Sequence, residues 1–341
     1  MEKINYTQFS IKENSIILYP RSLNGNRKFN FIHYDEDVDG KRTYKGSLTN
    51  NSAKLIYKRI YLFQRCIDFY NEMWLSGQRD VLKTLKLVTL TLSYSQKHSD
   101  QFIKQRLLKE FLNVMKTKYN MRNYIWKAER QKNGNIHFHI VTDLWIHYRY
   151  VQDEWNAIQE NYGYLDVYKR IHGHTCAPST EIKKAKNPSK TVRYMAKYMC
   201  KNDEFEKIDG CVWRCSDSLL KLVDYTSVLD NELQALLESY KKTGFVNFFE
   251  NDHCKIFQFP FPVYPSLLTS HYSKEMSDFI SKQCDILFND ISDEPEEILP
   301  QEIFEDKLFA SFPRQLNLFG DDYFIDESRA QELRTKLRDQ S

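Results

Sequence analysis

Two alternating apolar runs, Tyr124–Glu129 and Ile136–Thr142, flank the turn sequence QKNGN, and this pairing constrains the fold more than any other feature. Period-two alternation means strands, and Asn-Gly between such runs means a hairpin. A lone hairpin is marginal in water, so further strands and a covering layer are required. The neighbouring segments supply them. Lys86–Ser93 (KLVTLTLS) alternates as a strand. Ile56, Ile60, Phe63, Ile67, Tyr70 and Trp74 recur every three or four residues, which predicts a long helix over Ser52–Trp74. Asp100–Lys118 has the same spacing, and Val151–Tyr162 forms a shorter helix with Trp155 and Ile158 inward. Leu165–Ile171 reads as a strand, and Pro188 and Ser189 open a helix running to about Lys201. The order βαββαβα predicts an α+β fold, a central antiparallel sheet flanked by helices.

The flanks are less regular. Residues 1–50 hold short alternating runs, Ser15–Tyr19 and Lys28–His33, broken by Asn-Gly and Asp-Gly, and read as hairpins. Beyond Cys211 the pattern predicts a strand at Cys211–Arg214 and helices near Val228–Lys241 and Ser273–Leu287. From Asn289 the chain turns acidic (Asp293, Glu294, Glu296, Glu297), with little fixed structure expected. The expected organisation is therefore 1–83 for N-terminal hairpins and a long helix, 84–220 for the core, 221–288 for a mainly helical extension and 289–341 for the tail.

Composition narrows the class. With 41% apolar and 14% aromatic residues, wholesale disorder is excluded. The sequence has no apolar run of the roughly 18 residues that a membrane span needs, and its polar start is unlike a signal peptide. Seven irregularly spaced cysteines read as reduced thiols, so a soluble cytoplasmic protein without membrane contact is expected. No phosphate loop occurs, which argues against a fused helicase or ATPase. Residues 101–200 carry 18 Lys/Arg against 8 Asp/Glu, and residues 251–341 carry 9 against 18. A basic middle fits a polyanionic partner, although two solvated faces of opposite sign would look the same.

Two segments carry chemistry. In IHFHIVT, His137 and His139 share one strand face with Phe138 behind, two ready-made ligands for a divalent ion. Alone, such a pair can equally be structural. In VRYMAKYMCK, Tyr194 and Tyr198 stand one helical turn apart, with Lys197 and Lys201 along the same stripe. Val192, Met195, Ala196 and Met199 form the packing face. Two phenols beside two ammonium groups suit attack on a phosphate, the phenol as nucleophile and Lys offsetting charge. The plainer reading is two packed tyrosines with snorkelling lysines.

TLTLS at 89–93, HFHIV at 137–141 and YMAKYMCK at 194–201 follow the order and spacing of the three motifs of rolling-circle replication initiators. The chain thus resembles the His-hydrophobe-His (HUH) endonuclease superfamily, in the two-tyrosine form of single-stranded DNA phage and plasmid initiators, over residues 84–216. The resemblance implies an RRM-like nuclease core and a nickase and strand transferase acting on single-stranded origin DNA in a bacterial host. It implies Mg²⁺ or Mn²⁺ on the two histidines and a third ligand, with Tyr194 and Tyr198 as nucleophiles leaving a 5′-phosphotyrosine and a 3′-OH primer. Transposases and relaxases share this chemistry but usually place or number their tyrosines differently. A non-catalytic nucleic-acid-binding module on a similar sheet is the rival from another class.

Glu129 is the candidate third ligand, and register decides. A two-residue Asn133-Gly134 turn would pair it with Phe138 and face it away, whereas an odd loop or a bulge brings it to the histidines. The resemblance, with its usual acidic or polar ligand there, selects the odd loop. Lys183, Lys184, Lys186, Lys190 and Arg193 lead into the tyrosine helix as a track for the DNA backbone. Trp126, Tyr148 and Tyr150 are candidates for base stacking, with Trp155 assigned to the core. Cys211 with Cys215, or His172-x-His174-x-Cys176, lacks the spacing of a known zinc knuckle. In the tail, Gln315, Leu316, Leu318 and Phe319 resemble the Gln-Leu-x-Leu-Phe peptides that dock on the bacterial sliding clamp. A clamp, with host helicase or polymerase, is the implied protein partner.

Overall fold

Cross-strand pairing decides which residues of this chain share a face. The computed structural model describes residues 5–22, 46–75, 82–144, 146–185, 190–201 and 207–288. The described elements begin with β1 (Asn5–Ile11), β2 (Ser15–Ser22), α1 (Asn50–Leu75) and β3 (Lys86–Leu90). Next come α2 (Asp100–Ile103), a π-helical segment (Lys104–Leu108) and α3 (Lys109–Tyr119), then β4 (Tyr124–Arg130) and β5 (Ile136–Thr142). They continue with α4 (Tyr148–Asn161), α5 (Asp166–His172), β6 (Thr180–Lys184), α6 (Thr191–Met199), β7 (Trp213–Cys215) and α7 (Asp217–Leu220). The last are β8 (Thr226–Val228), α8 (Asn231–Lys242), β9 (Asn247–Glu250), β10 (Lys255–Gln258) and α9 (Ser270–Phe288). The fold is α+β, with two compact units.

The unit of residues 42–221 and 286–341 is built on an antiparallel sheet in the order β6-β3-β5-β4-β7. Directly paired residues project to the same side, so each cross-strand row is of one character. On one side Val88, Leu90, Trp126, Ala128, Phe138 and Ile140 join Ile103, Leu107, Phe111 and Met115 of the α2–α3 helical run and Val151, Trp155 and Ile158 of α4 in one core. On the other side, α6 packs on β5 and α1. Met195 and Met199 are buried there, and the Cys200 thiol donates to Ala53 O.

One expected element changes type. Leu165–Ile171 is not a strand: residues 166–172 are α5, ended by Gly173 in the left-handed region at φ +76°. The missing strand is β6, an edge strand pairing antiparallel with β3. Its sequence TEIKK has a single apolar residue, because an edge strand buries little, and so shows no clear alternation. The tyrosine helix also stops earlier than expected, at Met199, leaving Lys201 beyond its end.

The unit of residues 1–41 and 222–285 carries a second sheet, β8-β1-β2-β10-β9. The N-terminal hairpin β1–β2 forms as its alternation predicts, whereas Lys28–His33 lies outside the described residues. The helices near Val228–Lys241 and Ser273–Leu287 are α8 and α9. The strands β8, β9 and β10, of three or four residues, are too short for their periodicity to be read.

Candidate active site

The β4–β5 loop sets the site. Gln131 N donates to Asn135 O, and Lys132, Asn133 and Gly134 make the turn, with Gly134 left-handed at φ +82°. An odd loop of this kind, ending on a left-handed glycine, pairs Glu129 with His137 and Lys127 with His139. Three contacts hold the loop in place. Asn135 Nδ2 donates to Tyr94 O, Asn135 Oδ1 accepts from Gln96 N, and Gln96 Oε1 accepts from Ile136 N. Arg130 forms a two-pronged pair with Asp100, at 2.9 and 2.6 Å.

Glu129, His137 and His139 converge as a result. Glu129 Oε1 lies 2.7 Å from His137 Nε2 and 3.0 Å from His139 Nε2, and the two ring nitrogens are 3.1 Å apart. Neighbouring ligands of an octahedral ion at about 2.1 Å lie about 3 Å apart, so this donor set fits a Mg²⁺- or Mn²⁺-sized ion. Among the described residues it is the one group of three such side chains whose ligand atoms lie within 4.8 Å of each other. His139 Nδ1 contacts Thr89 Oγ1 at 3.3 Å, which leaves Nε2 toward the cluster. Burial lowers the His139 imidazole's pKa, favouring the neutral, ligating form. Burial alone would raise the Glu129 pKa. Hydrogen bonding to His137 and His139, with the charges of His139 and Lys127, outweighs it and holds the carboxyl well below the usual range.

Sequence reasoning treated Lys127 only as a surface partner for Glu129. Its side chain is 3% exposed, and its ammonium meets Glu129 Oε2 at 3.0 Å, Lys201 O at 2.6 Å and Tyr198 O at 3.4 Å. The available signal was a lysine in step with Glu129 between buried Trp126 and Ala128. Arg130, the other surface partner considered for Glu129, instead pairs with Asp100.

Helix α6 places the phenols. The Tyr198 ring lies 5.9 Å from that of His139 and 5.4 Å from that of Tyr194, and Lys197 Nζ is 5.8 Å from the Tyr198 ring. Burial and the adjoining Tyr198 raise the Tyr194 phenol's pKa, so it is protonated at neutral pH. Lys201 does not continue the stripe: past the helix end, its carbonyl is what the cluster uses, through Lys127.

The remaining predicted residues separate. Lys183 and Lys184 are on β6, Lys183 paired with Glu181 at 2.7 Å and Lys184 opposite Lys86. Lys190 and Arg193 are exposed at the start of α6. Lys186, Pro188, Gln315, Leu316, Leu318 and Phe319 lie outside the described residues. Trp126 is not available to stack on a base, because it is buried edge-on to Phe138. Trp155 is core as expected, while Tyr148 and Tyr150 are exposed. The Cys215 thiol is pushed up to about 11 by burial, and no metal-binding group forms around the described cysteines. Among the described residues no helix is long and apolar enough to cross a membrane.

Neither the curated proteins nor the solved structures contain a match. Residues 85–203, which contain the hairpin, the histidine pair and both tyrosines, match a family model described as replication-associated protein of the ORF2 type.

Proposed function

We propose that this protein is a rolling-circle replication initiator that cleaves and rejoins single-stranded DNA at a replication origin. The observation that carries the reading is the two-tyrosine helix seated on a His137–His139–Glu129 cluster, within the span that matches a replication-associated family.

Tyr194 or Tyr198 attacks the scissile phosphorus through its phenolic oxygen. The O–P bond to the 5′ side forms as the P–O3′ bond breaks; the phenol proton leaves to solvent and the 3′ oxygen takes one up. The products are a 5′-phosphotyrosine and a 3′-OH primer. Attack of a 3′-OH on the phosphotyrosine reverses the step and rejoins the strand. Mg²⁺ or Mn²⁺, when held by Glu129, His137 and His139, supplies positive charge at the phosphate. Lys197 adds charge beside Tyr198, and Lys183, Lys184, Lys186, Lys190 and Arg193 track the DNA backbone. The second tyrosine lets the regenerated origin be cleaved while the first remains attached. The setting is a bacterial cytoplasm, with a tail docking on the sliding clamp and host helicase and polymerase extending the primer.

The test is incubation with labelled single-stranded origin DNA and Mn²⁺, followed by denaturing electrophoresis. A protein–DNA adduct that survives denaturation supports the reading. Its absence across a library of single-stranded sequences would remove it, leaving a non-catalytic binding module.

A further inference from the structure

Among the described residues, the cation buried against the metal-ligating face is Lys127, and it is tied to both halves of the site. An ammonium has three donors, and this one has three acceptors: Glu129 Oε2, Tyr198 O and Lys201 O. Two consequences follow from that geometry. Because Oε2 is engaged by Lys127, only Oε1 is turned to the two imidazoles. And because the carbonyls belong to the last turn of α6 and the residue just beyond it, the same ammonium holds the negative end of the tyrosine helix against β4.

Charge arithmetic sharpens the point. The ligands bring one carboxylate and two imidazoles, and Lys127 cancels the carboxylate. An ion bound there therefore keeps its double charge for an anionic group from outside, at the expense of affinity when no such group is present.

We propose that Lys127 is a positioning and charge-balancing residue that fixes Glu129 as a one-oxygen ligand, clamps the end of the tyrosine helix and keeps the empty site's affinity for divalent ions low. This rests on the nickase reading for its purpose, but its two readouts need no DNA.

The full-length chain is compared with Lys127→Met and Lys127→Gln, using calorimetric titration with Mn²⁺ alone and amide hydrogen exchange over residues 196–201. Lys127→Met should bind Mn²⁺ at least about fivefold more tightly, since a repelling charge is gone. Exchange at 196–201 should rise about tenfold, since the carbonyls lose their donor. Lys127→Gln retains an amide donor and should show the tighter binding with less of the faster exchange. It also carries the affinity test if circular dichroism finds the Met variant unfolded. A merely structural lysine would not tighten metal binding when removed. Unchanged or weaker Mn²⁺ binding in a folded variant overturns the charge role, and unchanged exchange in Lys127→Met overturns the clamp; either result overturns the proposal. If wild-type protein forms no DNA adduct, the nickase reading falls while these measurements still judge Lys127.

Discussion

Glu129 stands directly opposite His137 in the β4–β5 ladder, with its Oε1 2.7 Å from His137 Nε2. Side-chain direction alternates with each residue, so a shift of one position would put Glu129 opposite Phe138, facing the core. Glu129's place in the cluster thus depends on the odd-numbered turn at Lys132–Gly134 and on the contacts of Gln96, Asn135 and Arg130 that hold it.

His137→Ala and His139→Ala should each abolish adduct formation while leaving affinity for single-stranded DNA within about twofold, because the basic residues of β6 and α6 are untouched. Glu129→Ala should weaken Mn²⁺ binding about tenfold without loss of fold. Gel shift, adduct assay and calorimetry on the three variants separate these effects. Wild-type cleavage by both histidine variants would sink the metal assignment.

Tyr194→Phe and Tyr198→Phe should each retain some single-turnover cleavage or joining, and the double variant none. A phenyl ring preserves the packing of α6 and removes only the attacking oxygen. The Tyr198 ring is 5.9 Å from that of His139, so its variant should show the larger loss in the first cleavage. Mass spectrometry of the adduct identifies the attacking residue. A variant silent in every assay would leave one catalytic tyrosine and no alternation.

Acid should release the hairpin's anchor. Burial pushes the Asp100 carboxyl up, but hydrogen bonds from Arg130, Gln96 and Asp209 N, with the Arg130 charge, bring it below its ordinary value of 3.8. The folded-state value is the lower one, so the pair's contribution is fully present above the unfolded value and is lost as pH falls through the folded one. Asp100→Asn should cost roughly 2–3 kcal/mol at neutral pH, from an uncompensated Arg130. The gap from wild type should close as pH drops below 3.8. Urea unfolding across a pH series measures it. A gap that stays constant into acid would show that the pair contributes nothing.

Replacing Leu318 and Phe319 together by Ala should remove binding to a bacterial sliding clamp and leave nicking of single-stranded origin DNA unchanged. A peptide that orders on docking binds in roughly the micromolar range. Surface plasmon resonance on a clamp-coated chip reads the first effect and the adduct assay the second. Equal clamp binding by wild type and the double variant would leave the motif without this role.

Local pattern determined much of this protein by itself. Alternation located β3, β4 and β5, helical spacing located α1, α4 and α6, and the two-residue period put His137 and His139 on one face. Such features depend on neighbours in the chain, and periodicity reports them directly. Tertiary structure decided what depends on distant neighbours. TEIKK became a strand because the edge of β3 was there to pair with, while LDVYKRI became a helix. The N-terminal hairpin and the short strands after residue 225 acquired their sheet only from one another. Glu129 and Lys127 entered the cluster by register and by the docking of α6, where a buried ammonium found the three acceptors that make its burial tolerable. No single segment encodes that satisfaction, because its donors and acceptors come from two elements about seventy residues apart.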